Sequence, residues 1–337
     1  MTCDTTLIRG DAGKPTVVFV HGLGMDKKIW ESPDESRILG GRFPVSLFVC
    51  EKPGPEADIK NEHSFAKRLS FGRHPKNLST LFHDLKEQGF TLIAWSQQRP
   101  SAEIDVVVAE LRDLLATYKE YCNEGILLIG HSRGGLVARK YVASGDKRVR
   151  GLITLATPHR GSRMAQWAGY LSPLASLLNP LLPEAEKGSL PSALKRIAEF
   201  LMSKAVQELL PDSLFFKTLD DREVDGVYYC SAGGNDPSLF SLYITGAEEV
   251  PNSGRSRRVA KAEEIFSVPE VFEKLLPERL FPEEMKKGRG DGLVSLESSM
   301  LPWAHKHFVF AINHAGILFD EDARVGIVDF VNRIIMQ

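Results

Sequence analysis

The chain has 337 residues, 43% hydrophobic and 26% charged, with 28 Gly and 19 Pro. That mix excludes collagen, a long coiled coil and wholesale disorder, and a chain of this length buries roughly three quarters of its unfolded surface, enough for one large domain with insertions. Lys and Arg number 42 against 44 Asp and Glu, a net charge of −2, so no global field draws nucleic acid or an anionic membrane surface.

Cys3, Cys50, Cys122 and Cys230 lie far apart and mostly in apolar stretches, which reads as buried thiols rather than a metal knuckle or a disulfide framework. The N-terminal residues show no basic region followed by an apolar core, and no stretch is long and apolar enough to be a transmembrane segment. A cytoplasmic enzyme is expected, unless an export signal has been trimmed away.

In chain order, short apolar runs at Thr16–Val20, Thr91–Trp95, Ile126–Gly130, Leu152–Ala156, Val227–Ala232 and His307–Ile312 predict buried strands. Between them the spacing predicts helices over Lys76–Gln88, Glu103–Tyr121, Gly134–Ser144 and Glu321–Ile335. This βαβ rhythm is that of an α/β fold with a mostly parallel sheet flanked by helices.

Three insertions interrupt a single domain spanning 1–337. Residues 30–75 are rich in Pro, Gly and charge and read as an irregular excursion. Residues 164–216 contain no strand signal, but Trp167, Leu171, Leu174 and Leu178, and then Leu190, Leu194, Ile197 and Leu201, follow helical spacing cut by prolines, as in a helical, lid-like insertion. Residues 239–288 carry the basic cluster Arg255, Arg257, Arg258 and Lys261, read as a solvated loop rather than a binding patch.

The chemistry centres on ILLIGHSRGGLVARKYV, Ile126 to Val142. Gly130, Ser132 and Gly134 form a G-x-S-x-G motif directly after a strand and before a helix, where small residues permit a sharp turn that holds the serine up at the helix N-terminus. A serine hydroxyl needs a base and an anion site. VHGLG, Val20 to Gly24, ends the first strong strand, and its Leu23 N–H with that of Arg133 can make an oxyanion hole. His314, in NHAGIL just past the last strand, is the best placed of the nine histidines to act as base. The acid is expected between nucleophile and base in chain order, and two residues compete for it. Asp291, in GRGDGLVS, precedes His314 by 23 residues; Asp236, in SAGGNDPS, follows the preceding strand. Asp291 is preferred, because the glycines beside it allow a bend that aims its carboxylate.

On these residues the chain resembles the α/β-hydrolase superfamily, and within it bacterial lipases and esterases and GPI inositol-deacylase-like hydrolases. VHGLG, GHSRGG, ATPHRGS and DGLVS with NHAGIL carry the likeness in that order; the three insertions are not matched closely. The resemblance implies Ser132 as nucleophile, Asp291 as orienting acid, His314 as base, and Leu23 with Arg133 as the oxyanion pair. It implies a serine carboxylic ester hydrolase that works through an acyl-enzyme on a small-molecule or lipid acyl ester, a polyester included, with no cofactor. A thioesterase or acyltransferase with the same triad is the alternative, and a noncatalytic binding protein on this scaffold is a further one. Some such lipases hold structural calcium through an aspartate two residues after the histidine, where this chain has Gly316; others hold zinc, for which His74, His83 and Asp84 offer only nonspecific spacing. No metal is expected.

Overall fold

Val17 and Phe19 pack into one hydrophobic core while Val18 and Val20 pack into another, so the run Thr16–Val20 is buried at every position. Side chains of a strand alternate between faces, and a strand covered on both faces must be apolar throughout. The computed structural model describes residues 3–38, 43–49, 68–70, 78–164, 203–219, 222–252, 255–268, 273 and 281–336.

In chain order its strands are β1 (Thr5–Ile8), β2 (Thr16–Val20), β3 (Arg37–Ile38), β4 (Phe43–Pro44), β5 (Arg68–Ser70), β6 (Thr91–Trp95), β7 (Ile126–His131), β8 (Val149–Leu155), β9 (Tyr228–Gly234), β10 (Phe240–Asn252), β11 (Arg255–Val268) and β12 (Lys306–Phe310). The α-helices are α1 (Lys28–Glu31), α2 (Leu81–Glu87), α3 (Ile104–Thr117), α4 (Arg133–Ala143), α5 (Lys204–Gln207), α6 (Leu214–Thr218), α7 (Leu296–Ser299) and α8 (Glu321–Ile335). A seven-stranded sheet runs β1-β6-β2-β7-β8-β9-β12; only β1 is antiparallel to its neighbour.

Helices α3 and α4 bury Ile104, Val107, Leu111, Leu136 and Val137 against one face of the sheet, and α2 and α8 bury Leu81, Leu85, Ile327 and Val331 against the other. Thr80 starts α2 with a capping box shared with His83, and Asp320 starts α8 by accepting the Ala323 N–H at 2.9 Å. Each cap satisfies amides that have no partner within the helix.

The predicted α/β fold is the observed one, and each predicted sheet strand lies within a few residues of its run. The reading of the basic cluster as part of a loop is corrected: Phe240–Asn252 and Arg255–Val268 form a long antiparallel ribbon, with Arg255, Arg257, Arg258 and Lys261 in its second strand and β5 paired with β10 on the other side. The ribbon hydrogen-bonds to its own return strand, so it needs no continuous apolar run and gives a weak sequence signal. Most of the lid-like stretch 164–216, and most of 30–75, lies outside the described residues. Among the described residues no helix is long and apolar enough to cross a membrane.

Candidate active site

The parallel strands β2, β7 and β12 bring their C-terminal ends to one edge of the sheet, and the segments that leave them carry Leu23, Ser132 and His314 together, while Asp291 comes from the segment before α7. Ser132 links β7 to α4 with φ 53° and ψ −129°. A non-glycine residue held at this positive φ is strained, and the surrounding packing has to impose it. Its N–H donates to the Leu155 carbonyl at 2.8 Å, and its carbonyl accepts the Gly135 N–H at 3.0 Å. A Cβ on Gly134 would fall on the backbone oxygens of Val20 and His21, which is why α4 can start so close to β2 only with glycine there.

His314 stands between Ser132 and Asp291. Its Nε2 is 3.0 Å from Ser132 Oγ and its Nδ1 is 2.9 Å from Asp291 Oδ2. A carboxylate only accepts, so the proton resides on Nδ1 and Nε2 faces the Ser132 hydroxyl as an acceptor. Asp291 is 1% exposed, and its other oxygen accepts the N–H groups of Leu293 at 3.0 Å and Val294 at 2.7 Å. The His314 N–H donates to the Asp291 carbonyl at 2.9 Å, so the two residues are joined through main chain as well as side chain. Asp236, the competing acid, instead accepts the Ser238 N–H in its own turn.

The two proposed oxyanion donors are placed by a common device. His21 Nε2 accepts the Gln97 N–H at 3.0 Å, so its proton sits on Nδ1 and is donated to the Gly22 carbonyl at 2.9 Å. In a trans peptide the N–H points opposite the C=O, so pinning that oxygen turns the Leu23 N–H away from it. The Gly135 N–H on the Ser132 carbonyl does the same for the Arg133 N–H. Neither the Leu23 nor the Arg133 N–H has a hydrogen-bond partner among the described residues. A Cβ on Gly22 would sit 3.2 Å from Ser132 Cβ, so this loop lies directly against Ser132.

Two neutral histidines line the site. Burial pushes His21 down to about 4 and His131 down to about 3, the charge of His314 adding to the second shift. His131 Nε2–H donates to the His314 carbonyl at 3.0 Å. Among the described residues no group of three or more His, Cys, Asp or Glu is gathered to hold a metal. His83 is occupied in the cap of α2, Asp84 pairs with Arg324, and His74 lies outside the described residues. Gly316 donates its N–H to Asn313 Oδ1 at 2.7 Å.

A family model for palmitoyl protein thioesterases matches residues 16–223. The chain belongs to the palmitoyl protein thioesterase family. The matched stretch contains the His21–Gly24 turn, Ser132 and Arg133, and ends before Asp291 and His314. No curated protein matches the sequence. Among solved structures, this family member is similar to the mature form of the lipase BlEst2 of Bacillus licheniformis, at 15% identity over 98% of this chain and 97% of that one, with a TM-score of 0.52. It is similar also to the propeptide form of that lipase, at 16% identity over 99% of this chain and 54% of that one, with a TM-score of 0.53. At such identities the likeness concerns the fold, that of an α/β-hydrolase.

Sequence reasoning left His131, Gln97 and Glu208 without a role in this palmitoyl protein thioesterase family member. His131 was visible as the residue before Ser132, but its bond to His314 spans 183 positions. Gln97 and Glu208 sit in segments with no motif.

Proposed function

We propose that the protein is a serine hydrolase that cleaves carboxylic esters of acyl chains, as one α/β-hydrolase domain, through an acyl-enzyme. The observation that carries this reading is the unbroken relay Ser132 Oγ–His314 Nε2 at 3.0 Å and His314 Nδ1–Asp291 Oδ2 at 2.9 Å. Ser132 Oγ attacks the acyl carbonyl as its proton passes to His314 Nε2, and the tetrahedral oxygen is held by the N–H groups of Leu23 and Arg133. His314 then gives the proton to the leaving group, and in the second half of the cycle draws a proton from water, which releases the acid. Asp291 fixes the histidine tautomer and stabilises the imidazolium formed on the way. Neither step calls on a cofactor.

The family match favours a second reading of the same machinery, with a thioester as substrate. The chemistry differs only in the leaving group, a thiol in place of an alcohol. The test is a matched panel of oxygen esters and thioesters from acetyl to palmitoyl, run on the parent and on Ser132→Ala, together with fluorophosphonate labelling. Labelling located at Ser132, with turnover lost in Ser132→Ala, supports the reading; turnover that survives the substitution overturns it. The ratio of thioester to ester turnover at equal chain length decides between the two substrates.

A further inference from the structure

The side chain of Arg133 leaves the first residue of α4 and is 1% exposed. Its guanidinium donates to the carbonyls of Pro100, at 3.3 Å, and Ala102. The carboxylate paired with it among the described residues is Glu208, with Oε2 at 3.4 Å. Glu208 follows α5 and is itself anchored: its carbonyl accepts the Ser213 hydroxyl at 2.7 Å, and the next carbonyl, that of Leu209, accepts the Ser162 N–H at 2.6 Å. Both oxygens of the same carboxylate accept the Ile104 N–H, at 3.2 and 2.9 Å, at the N-terminus of α3. One side chain therefore ties the start of α3 to the residue that follows the nucleophile.

We propose that Glu208 is a positioning residue for acyl transfer, which acts through the buried guanidinium of Arg133 to hold the Arg133 backbone N–H where the tetrahedral oxygen forms. This rests on the reading of the site as a serine hydrolase. The physical reason is the cost of a buried charge without a counter-charge. Burial disfavours the ionised form of both partners, lowering the Arg133 pKa and raising that of Glu208. Each therefore depends on the other, and because the Arg133 side chain is buried while Glu208 is partly buried, removing Glu208 leaves an uncompensated charge that must move toward water. Arg133 is the second oxyanion donor as well as the side chain so held, and any shift of its Cα moves the donor. An oxyanion donor acts in the transition state more than in the ground state, so its displacement lowers kcat and spares KM.

The experiment measures kcat and KM for a p-nitrophenyl butyrate probe, normalised to active sites titrated with a fluorophosphonate. Glu208→Gln keeps an oxygen for the Ile104 N–H and removes the charge. It is expected to lower kcat on the order of ten- to a hundredfold, since removing an oxyanion donor outright costs roughly 10² to 10³, with KM changed by less than about twofold. The double variant Arg133→Met, Glu208→Gln leaves no unpaired charge and keeps the backbone N–H, and is expected to recover part of the lost kcat. Val331→Ala, on the buried face of α8, serves as a control for lost stability alone and is expected to leave kcat per titrated site unchanged. If Glu208→Gln does not fold, Glu208→Asp takes its place, with a smaller fall in kcat expected at unchanged KM. A kcat per titrated site within about twofold of the parent overturns the proposal, as does a fall that the control reproduces at equal loss of melting temperature. Ser132→Ala in parallel separates the two readings: if it turns over the probe like the parent, the serine hydrolase assignment is what has failed.

Discussion

The imidazole of His131 donates through Nε2 to the main-chain carbonyl of His314 at 3.0 Å, with the two rings 5.0 Å apart. His131, the residue before Ser132, thus holds the carbonyl of His314, whose N–H is held by the Asp291 carbonyl. Because the donor is a neutral ring, it places no positive charge beside His314 as that residue becomes an imidazolium. Replacing His131 with Leu removes the donor and leaves a buried carbonyl unsatisfied, at a cost of about 1–3 kcal/mol in stability. The expected catalytic effect is a fall in kcat on the order of tenfold or more, because a base displaced by a fraction of an ångström loses its alignment with Ser132. His131→Gln, which can donate from its amide, should recover part of the loss. Equal activity of the Leu and Gln variants, measured per titrated site, would remove His131 from the positioning of the base.

The relay itself sets a sharper ranking. Ser132→Ala should lower turnover on the order of 10⁴ to 10⁶. Asp291→Asn leaves the geometry but presents an amide to His314 Nδ1, favouring the wrong tautomer, and should cost on the order of 10⁴. Asp236→Asn should cost little, since among the described residues that carboxylate accepts the Ser238 amide in its own turn. Turnover of the three variants, corrected for folded fraction, checks the order, and an Asp236 variant weaker than the Asp291 variant would reverse the assignment of the acid.

Stability should fall in mild acid. His21 and His131 are held by burial at about 4 and about 3, against 6.5 when free, and His159, between Thr154 and Arg139, is also held well below its ordinary value by burial. Between the folded and unfolded values the unfolded chain binds more protons, so stability rises with pH across that window. The contribution is complete above pH 6.5 and is lost as pH falls toward 4 and 3. Each histidine can tilt the curve by up to about 1.4 kcal/mol per pH unit there. Urea midpoints should therefore drop between pH 7 and pH 5. A midpoint that is flat over that range would contradict the burial of these rings.

How far the sequence carries can be seen in particular elements. Thr16–Val20 and Thr91–Trp95 are legible as strands because burial on both faces demands continuous apolar runs, and Glu321–Ile335 because one face of the helix packs while the other is wet. β1 is only half-buried along its length and pairs antiparallel at the sheet edge, so its residues carry no such run. For the site, the glycines around Ser132 and the strand ends before His21 and His314 announce sharp turns, which are local and readable. Asp291 lies against His314 Nδ1 and Asp236 against the Ser238 N–H, a difference for which the sequence offered only flanking glycines as a reason. Glu208 was beyond reach, because its partners Ile104 and Arg133 are more than seventy residues away and meet it only through the packing of α3 and α4.

The loop that carries His314 is held by an asparagine. Asn313 Oδ1 accepts the N–H groups of Ala315 at 3.1 Å and Gly316 at 2.7 Å, while its Nδ2 donates to the carbonyls of Phe48 at 2.8 Å and Ser238 at 2.7 Å. Four hydrogen bonds from one side chain therefore fasten the turn after the base to two distant segments. A bound cation with a carboxylate at position 316 would fasten the same turn by another route, and here the backbone amide of Gly316 is committed to Asn313. The expectation is that activity and melting temperature survive exhaustive dialysis against EDTA, whereas Asn313→Ala lowers kcat and the rate of fluorophosphonate labelling. Added calcium should not restore the variant, since alanine gives the ion nothing to bind. Metal measured near one equivalent before dialysis, with a loss of activity that calcium or zinc reverses, would show that an ion and not Asn313 alone secures the base.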